Sequence, residues 1–138
     1  NALFERYGRM YGIVWLKLAA QAYQESQLVA NIEQLENTVH AGAKYMHHLR
    51  TSYFNDTAIS VADQVDFAWA AYNAGPARIR KLRSVAAGRG LDPNRWFGHV
   101  EVVAAEKIGR ETVDYVRNIN KYYVAYKLYL DIQAGGGS

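Results

Sequence analysis

Glu25 is where chemistry could begin. It stands near the end of the apolar stretch Leu16-Lys17-Leu18-Ala19-Ala20-Gln21-Ala22-Tyr23-Gln24-Glu25-Ser26, flanked by Ile13, Trp15 and Leu28. A helix apolar nearly all round is a central one, buried by its neighbours. A carboxylate there loses hydration and holds its proton more tightly. It can then act as a general acid at neutral pH. At a frayed helix end the same Glu would face water, the usual state of an unpaired Glu. This one helix leaves both readings open. Tyr72 and Asn73 form a second group: a helix that stops at Asn73-Ala74-Gly75-Pro76 leaves both at its end, free to face a cleft. His40, His47 and His48 are a third. No pair among them has the i, i+4 spacing of a helical zinc site, so exposed polar histidines are expected, with no metal and no cofactor.

The elements that would position these residues are all helical. Residues 2–11 read as a short amphipathic helix with Leu3, Phe4, Tyr7 and Met10 or Tyr11 inward, and the Glu25 helix follows from about Ile13 to Leu28. Ile32, Leu35, Val39, Ala43, Met46 and Leu49 recur at helical steps and mark one buried face. Ser60 followed by Asp63 predicts a helix N-cap. The helix it opens runs through Phe67, Trp69 and Tyr72, and Gly75-Pro76 ends it with a left-handed Gly cap. A basic helix follows, Ala77 to about Ala87, with Arg78, Arg80, Lys81 and Arg83; its plain reading is a solvated face. Leu91 to Gly98 is a turn with two aromatics, and His99–Ile108 and a last helix from about Arg110 complete the chain. No strand alternation and no repeat is found, so the class is all-α.

The 138 residues suit one domain with one core, expected over 1–131, with 132–138 as a flexible tail or linker scar. Half the residues are hydrophobic, which excludes a disordered chain. Eleven Tyr and three Trp offer rings for a core and for stacking on sugars or bases. The formal charge of +3 favours an anionic partner without naming it. A nucleic-acid binder would need more than one basic helix, so no nucleic acid is expected. There is no Cys, hence no disulfide and no thiolate metal site. No apolar run approaches a membrane span and no signal peptide is read, so a mature or excised domain is expected.

Three separated pieces line up: Gln24-Glu25-Ser26, Ala71-Tyr72-Asn73-Ala74-Gly75-Pro76, and Glu111-Thr112-Val113-Asp114-Tyr115-Val116. In this order, over about Phe4 to Leu130, the chain resembles the family 1 lytic transglycosylase (SLT) domain of the goose-type lysozyme superfamily. The resemblance implies a lysozyme-like helical fold. It implies Glu25 as the single catalytic acid/base, with Ser26 in the same signature. Tyr72 and Asn73 would border the cleft, and Glu111 and Tyr115 would line its floor. The substrate would be the glycan strand of peptidoglycan, cleaved between N-acetylmuramic acid and N-acetylglucosamine to leave a 1,6-anhydro end. A bacterial periplasm or cell envelope would be its place. Hydrolysis, as in a goose-type lysozyme, and a non-catalytic glycan-binding domain are the other readings.

The chain departs from that family at one point. Members carry a Gly-Leu-Met-Gln-type segment after Glu-Ser that lines the groove beside the catalytic Glu. Here Gln27-Leu28-Val29-Ala30 leads straight to Asn31-Ile32, so a segment near 28–31 is expected to be cut out or to be absent from the written sequence. A real deletion would wet Glu25 and lower its pKa towards that of a free Glu. It would also leave almost no turn between two helices. A continuous helix from Ile13 to Arg50 would then invite domain swapping. The oligomeric state is left open.

Overall fold

The computed structural model describes residues 32–136, so Glu25 and Ser26 lie outside the described residues. Within them are five α-helices and no strand: α1 (Ile32–Tyr53), α2 (Val61–Ala74), α3 (Pro76–Gly88), α4 (Glu101–Ile108) and α5 (Arg110–Gly136), with a tight turn at Trp96–Val100 before α4. They fall into two compact units. Met46–Arg117 holds α2, α3 and α4, with the end of α1 and the start of α5; residues 32–45 and 118–136 belong to the other. In the latter, Ala43 and Ile119 are buried. α5 runs on into the segment read as a tail, and its residues from Asp131 to Gly135 are exposed.

In α1 the expected inward residues Ala43, Met46 and Leu49 are buried, while His40, His47 and His48 are exposed. The helix ends at Tyr53, and Phe54 turns fully inward. α2 starts as its cap predicts. Asp63 N–H donates to Ser60 Oγ at 3.1 Å, and Ser60 Oγ donates to Asp63 Oδ2 at 2.7 Å. Asp63 has a second task, because its Oδ1 accepts the Trp96 backbone N–H at 3.0 Å and ties the later turn to the start of α2. Gln64 is buried. It accepts from Arg50 Nε and donates to the Ile59 carbonyl at 3.0 Å, holding the connection from α1 to α2.

From Phe67 to Ala71 every residue of α2 is buried, which is more than a full turn, so the helix is covered on all faces. α3 packs against α2 and α4, and the Trp96–Val100 turn packs against α2, α3 and α4. The Phe67 ring stacks on Phe54 (5.5 Å, 22°) and meets Trp96 edge-on (6.1 Å). Burial of each such ring contributes about 1.5–3 kcal/mol.

Arg83 corrects one sequence expectation. It is not part of a solvated basic face. Its guanidinium lies over the Phe67 ring at 5.1 Å, and it donates to the Pro93 carbonyl (2.8 Å) and Asn94 Oδ1 (2.9 Å). Loss of hydration is the main influence on it and lowers its pKa, with Asp56 acting the other way. Before α4, Phe97 (ψ 126°) and Gly98 (φ 76°) are non-helical, in the expected turn, and the helical backbone resumes after Gly98 and leads into α4 at Glu101. His99 Nδ1 accepts the Asp92 N–H at 2.9 Å.

α2 and α3 are joined by Gly75 alone. It has the expected positive φ, 93°, but its ψ of 141° is extended rather than left-handed helical, and this lets α3 start at the next residue. That region is essentially confined to glycine. A Cβ there would meet nothing within 4 Å, so the strain of Gly75→Ala is purely backbone. Gly88, at the end of α3, also has open space but no positive φ. Opposite signs are expected in chemical denaturation. Gly75→Ala should destabilise by about 1–3 kcal/mol, and Gly88→Ala should stabilise by about 0.4–1 kcal/mol.

Candidate functional site

The buried α2 reaches solvent only in its last turn. Ala71 is buried, and the next residue, Tyr72, is 39% exposed. Tyr72 meets Tyr115, from the second turn of α5, with ring planes 3° apart and centroids at 6.5 Å. Both rings stand edge-on to buried Trp69, at 6.0 Å and at 66° and 69°. Trp69 lies three residues before Tyr72, on the same face of α2. The three rings make a rigid corner. Edge-to-face and offset pairs at these separations contribute about 0.5–1.5 kcal/mol each beyond area burial.

Asn73 is fixed by a residue that sequence reasoning passed over. Thr112, only 4% exposed, donates from Oγ1 to Asn73 Oδ1 at 2.6 Å. The bond joins the end of α2 to the first turn of α5 and turns the amide so that Nδ2 remains as the donor. Glu111, one residue earlier, is exposed and makes no hydrogen bond or ion pair among the described residues. Four expected site residues are thus placed here. Tyr72 and Tyr115 touch, Asn73 is held beside them through Thr112, and Glu111 stands on the outer side of the same helical turn. Trp69 and Thr112 carried a weak signal, each sitting three positions before a named Tyr.

The corner is electrically neutral. Burial, and secondarily the Tyr72 hydroxyl, push the Tyr115 pKa well above the ordinary tyrosine value. Its phenol therefore stays protonated through neutral and mildly alkaline pH, and it is a hydrogen-bonding group rather than a base. A stacked face of aromatic rings beside amide and hydroxyl groups suits a neutral, polyhydroxylated ligand that has both apolar faces and polar edges.

Fold and corner together define an all-α, lysozyme-like domain with an aromatic site where its buried helix surfaces. The transglycosylase SLT domain model matches residues 19–91, more than half of the chain, and the chain belongs to that family. The match takes in Glu25, Ser26, Tyr72 and Asn73 and ends before α4. Similar curated proteins carry the name membrane-bound lytic murein transglycosylase F. That of Pseudomonas fluorescens is 27% identical over 158 residues, covering 87% of this chain and 32% of the relative. That of Marinobacter nauticus is 29% identical over 163 residues, covering 89% and 32%. That of Desulfosudis oleivorans is 27% identical, covering 88% and 35%. The chain spans about a third of the length of these relatives. The first alignment runs over 158 positions although 87% of this 138-residue chain takes part, so the relative has residues in the matched span with no counterpart here.

Two outcomes are expected. Thr112→Val should lower stability by about 1 kcal/mol, the cost of a lost hydrogen bond to a partly buried amide, and Thr112→Ser should restore most of it, as read by chemical denaturation. In an alkaline titration followed by phenolate absorbance, Tyr115→Phe should remove a component that ionises above the ordinary tyrosine range. Folding favours the neutral Tyr115, so its contribution to stability is complete below the ordinary tyrosine pKa of about 10 and is lost as pH climbs from there through the raised folded value.

Proposed function

We propose that this domain is the catalytic part of a peptidoglycan lytic transglycosylase. It cleaves the β-1,4 bond between N-acetylmuramic acid and N-acetylglucosamine and leaves a 1,6-anhydro end. The observation that carries the reading is that two family motifs distant in the chain, Ala71–Pro76 and Glu111–Val116, meet at the Tyr72–Tyr115 stack, within a chain whose family match also takes in Glu25. Bacterial relatives named as membrane-bound murein transglycosylases support the substrate and a cell-envelope location. Among the described residues no helix is long and apolar enough to cross a membrane.

In this reading Glu25, with Ser26 beside it, is the only catalytic carboxylate. Ordinary glycosidases flank the bond with two. Here the second role falls to the substrate. Glu25 protonates the departing glycosidic oxygen, and the bond to the anomeric carbon breaks. Its carboxylate then takes the proton of the muramic acid 6-hydroxyl as that oxygen bonds to the anomeric carbon, closing the anhydro ring. The N-acetyl group assists at the anomeric carbon. Tyr72 and Tyr115 bear on a sugar ring, Asn73 Nδ2 donates to it, and Glu111 lines the groove further out.

A second reading has a specific observation behind it. The first alignment leaves residues of the relative without counterpart here, and the family segment is missing near 28–31; a deletion there would strip one wall from the acid and leave a glycan-binding domain without turnover. Purified peptidoglycan digested with the chain separates the outcomes by product mass. Anhydro ends, one water lighter than reducing ends, are expected. Reducing ends would mean hydrolysis instead, and bound but uncut glycan would mean the truncated domain. Glu25→Gln should keep the fold, by circular dichroism and thermal melting, and abolish release of products. Undiminished release by that variant would remove Glu25 from the mechanism.

A further inference from the structure

The segment 76–109 carries seven Lys and Arg against three Asp and Glu, an excess of four, which is more than the +3 of the whole chain. All three of its carboxylates are engaged. Asp92 accepts the Asn94 N–H at 2.9 Å. Glu101 pairs with Arg117 at 3.3 Å. Glu106 is gripped by both Arg89 nitrogens, which lowers its pKa. Arg83 is spent inside the fold. Arg78 and Lys81 on α3 and Lys107 at the end of α4 are exposed and form no salt bridge among the described residues.

These three residues line one depression, mainly through the aliphatic parts of their side chains. Its floor is apolar, made by Leu82, Val85 and Ile108, and its volume is about 330 Å³. On α3 the lining residues follow the i, i+3, i+4, i+7 rule of a single face. The volume sits at the small end of ligand sites, about 300–1,000 Å³. It contains no ring on which a nucleobase could stack. Lys81 also borders a second groove, of about 560 Å³, running along Ala77, Ser84 and Ala87 to Pro93, so an extended ligand has room to continue past it. The complementary ligand is a short aliphatic side chain flanked by carboxylates.

We propose that this depression binds an acidic peptide, seating an alanine-sized side chain on Leu82, Val85 and Ile108 while Arg78, Lys81 and Lys107 hold its carboxylates. For the source of that peptide the inference rests on the function proposed above: the peptide branches of peptidoglycan place alanine next to carboxylate-bearing residues. The domain would then hold its polymer at two places, the glycan at the Tyr72–Tyr115 corner and a peptide branch on α3, the helix that starts directly after Gly75.

The test uses the full chain and a sugar-free probe, the tetrapeptide Ala-γ-Glu-meso-diaminopimelate-Ala, with titration calorimetry and amide chemical shifts as readouts. Saturable binding is expected, with shifts at Val85 and Ile108. It should weaken roughly tenfold or more in Lys81→Ala/Lys107→Ala, two exposed positions whose replacement leaves the core untouched. It should weaken likewise for the same peptide with its carboxylates amidated, and should persist in Glu25→Gln. No saturable binding, equal affinity in the double variant, or equal affinity for the amidated peptide would overturn the proposal. So would preferential binding of a short polyphosphate. Cleavage of peptide-stripped glycan with no peptide binding would sink this inference alone. Peptide binding with no cleavage of any glycan would sink the function reading alone.

Discussion

The complete burial of α2 from Phe67 to Ala71 is the constraint on which this unit depends. A helix covered on every face has nowhere to place a functional side chain along its length. Small residues (Ala68, Ala70 and Ala71) let neighbours come close, while Phe67 and Trp69 fill the remaining space. Only the last turn escapes. Tyr72 and Asn73 are therefore presented from the end of a rigid, packed element, and Trp69 supports the Tyr72 ring from below. Gly75 makes the arrangement possible by reversing the chain in one residue, so that α3 starts at once and can pack back on α2. A site built this way loses little entropy when it binds, because its rings are already held.

The loops of the unit are tied down by polar side chains that each bind at two places. Asp63 caps α2 and also holds the Trp96 turn; Gln64 joins Arg50 to the Ile59 carbonyl. Arg83 stacks on Phe67 and holds both Pro93 and Asn94. A guanidinium suits that task because its flat face lies on a ring while its edges donate hydrogen bonds. Arg78 is on the same helix and has a different fate. At about 100° per residue, five positions place it on another face, where it stays exposed. Charge on α3 is thus divided by angle: one cation serves the fold, and the others face outward.

Much of this was legible in the sequence where the cause is local. Ser60 and Asp63 mark the start of α2, Gly75-Pro76 its end, and the spacing of Ala43, Met46 and Leu49 the inner face of α1. Caps and periodicity act within a few residues, so one sequence displays them. The bond from the Asp92 N–H to His99 was not legible, because the loop and the helix start meet only in the fold. Nor was the inward turn of Arg83, since Phe67, Pro93 and Asn94 come together only in the fold. The site divides in the same way. Tyr72 and Asn73 could be placed at a helix end from residues alone, while Tyr115 and Glu111 entered only through family resemblance. Thr112 and Trp69 were missed because a threonine early in a helix and a tryptophan in an apolar run look like ordinary core.

The chemistry of the aromatic corner also limits what it can contribute to a reaction. Its polar groups are phenols, an amide and a threonine hydroxyl, and burial keeps Tyr115 protonated. None of these is a base at neutral pH, and none is an acid strong enough to expel a glycosidic oxygen. Glu111 is exposed. The corner can hold a sugar by stacking and by hydrogen bonds, but protonation must come from elsewhere. On the proposed function that source is Glu25, and the work divides: binding at the Tyr72–Tyr115 platform, proton transfer at one carboxylate. A deletion after Ser26 would then act on only one half of the device. It would alter the hydration of the acid and leave the platform standing, since Trp69, Tyr72, Asn73, Thr112 and Tyr115 are held by one another within Met46–Arg117. On the proposed function, glycan binding and glycan cleavage are therefore separable.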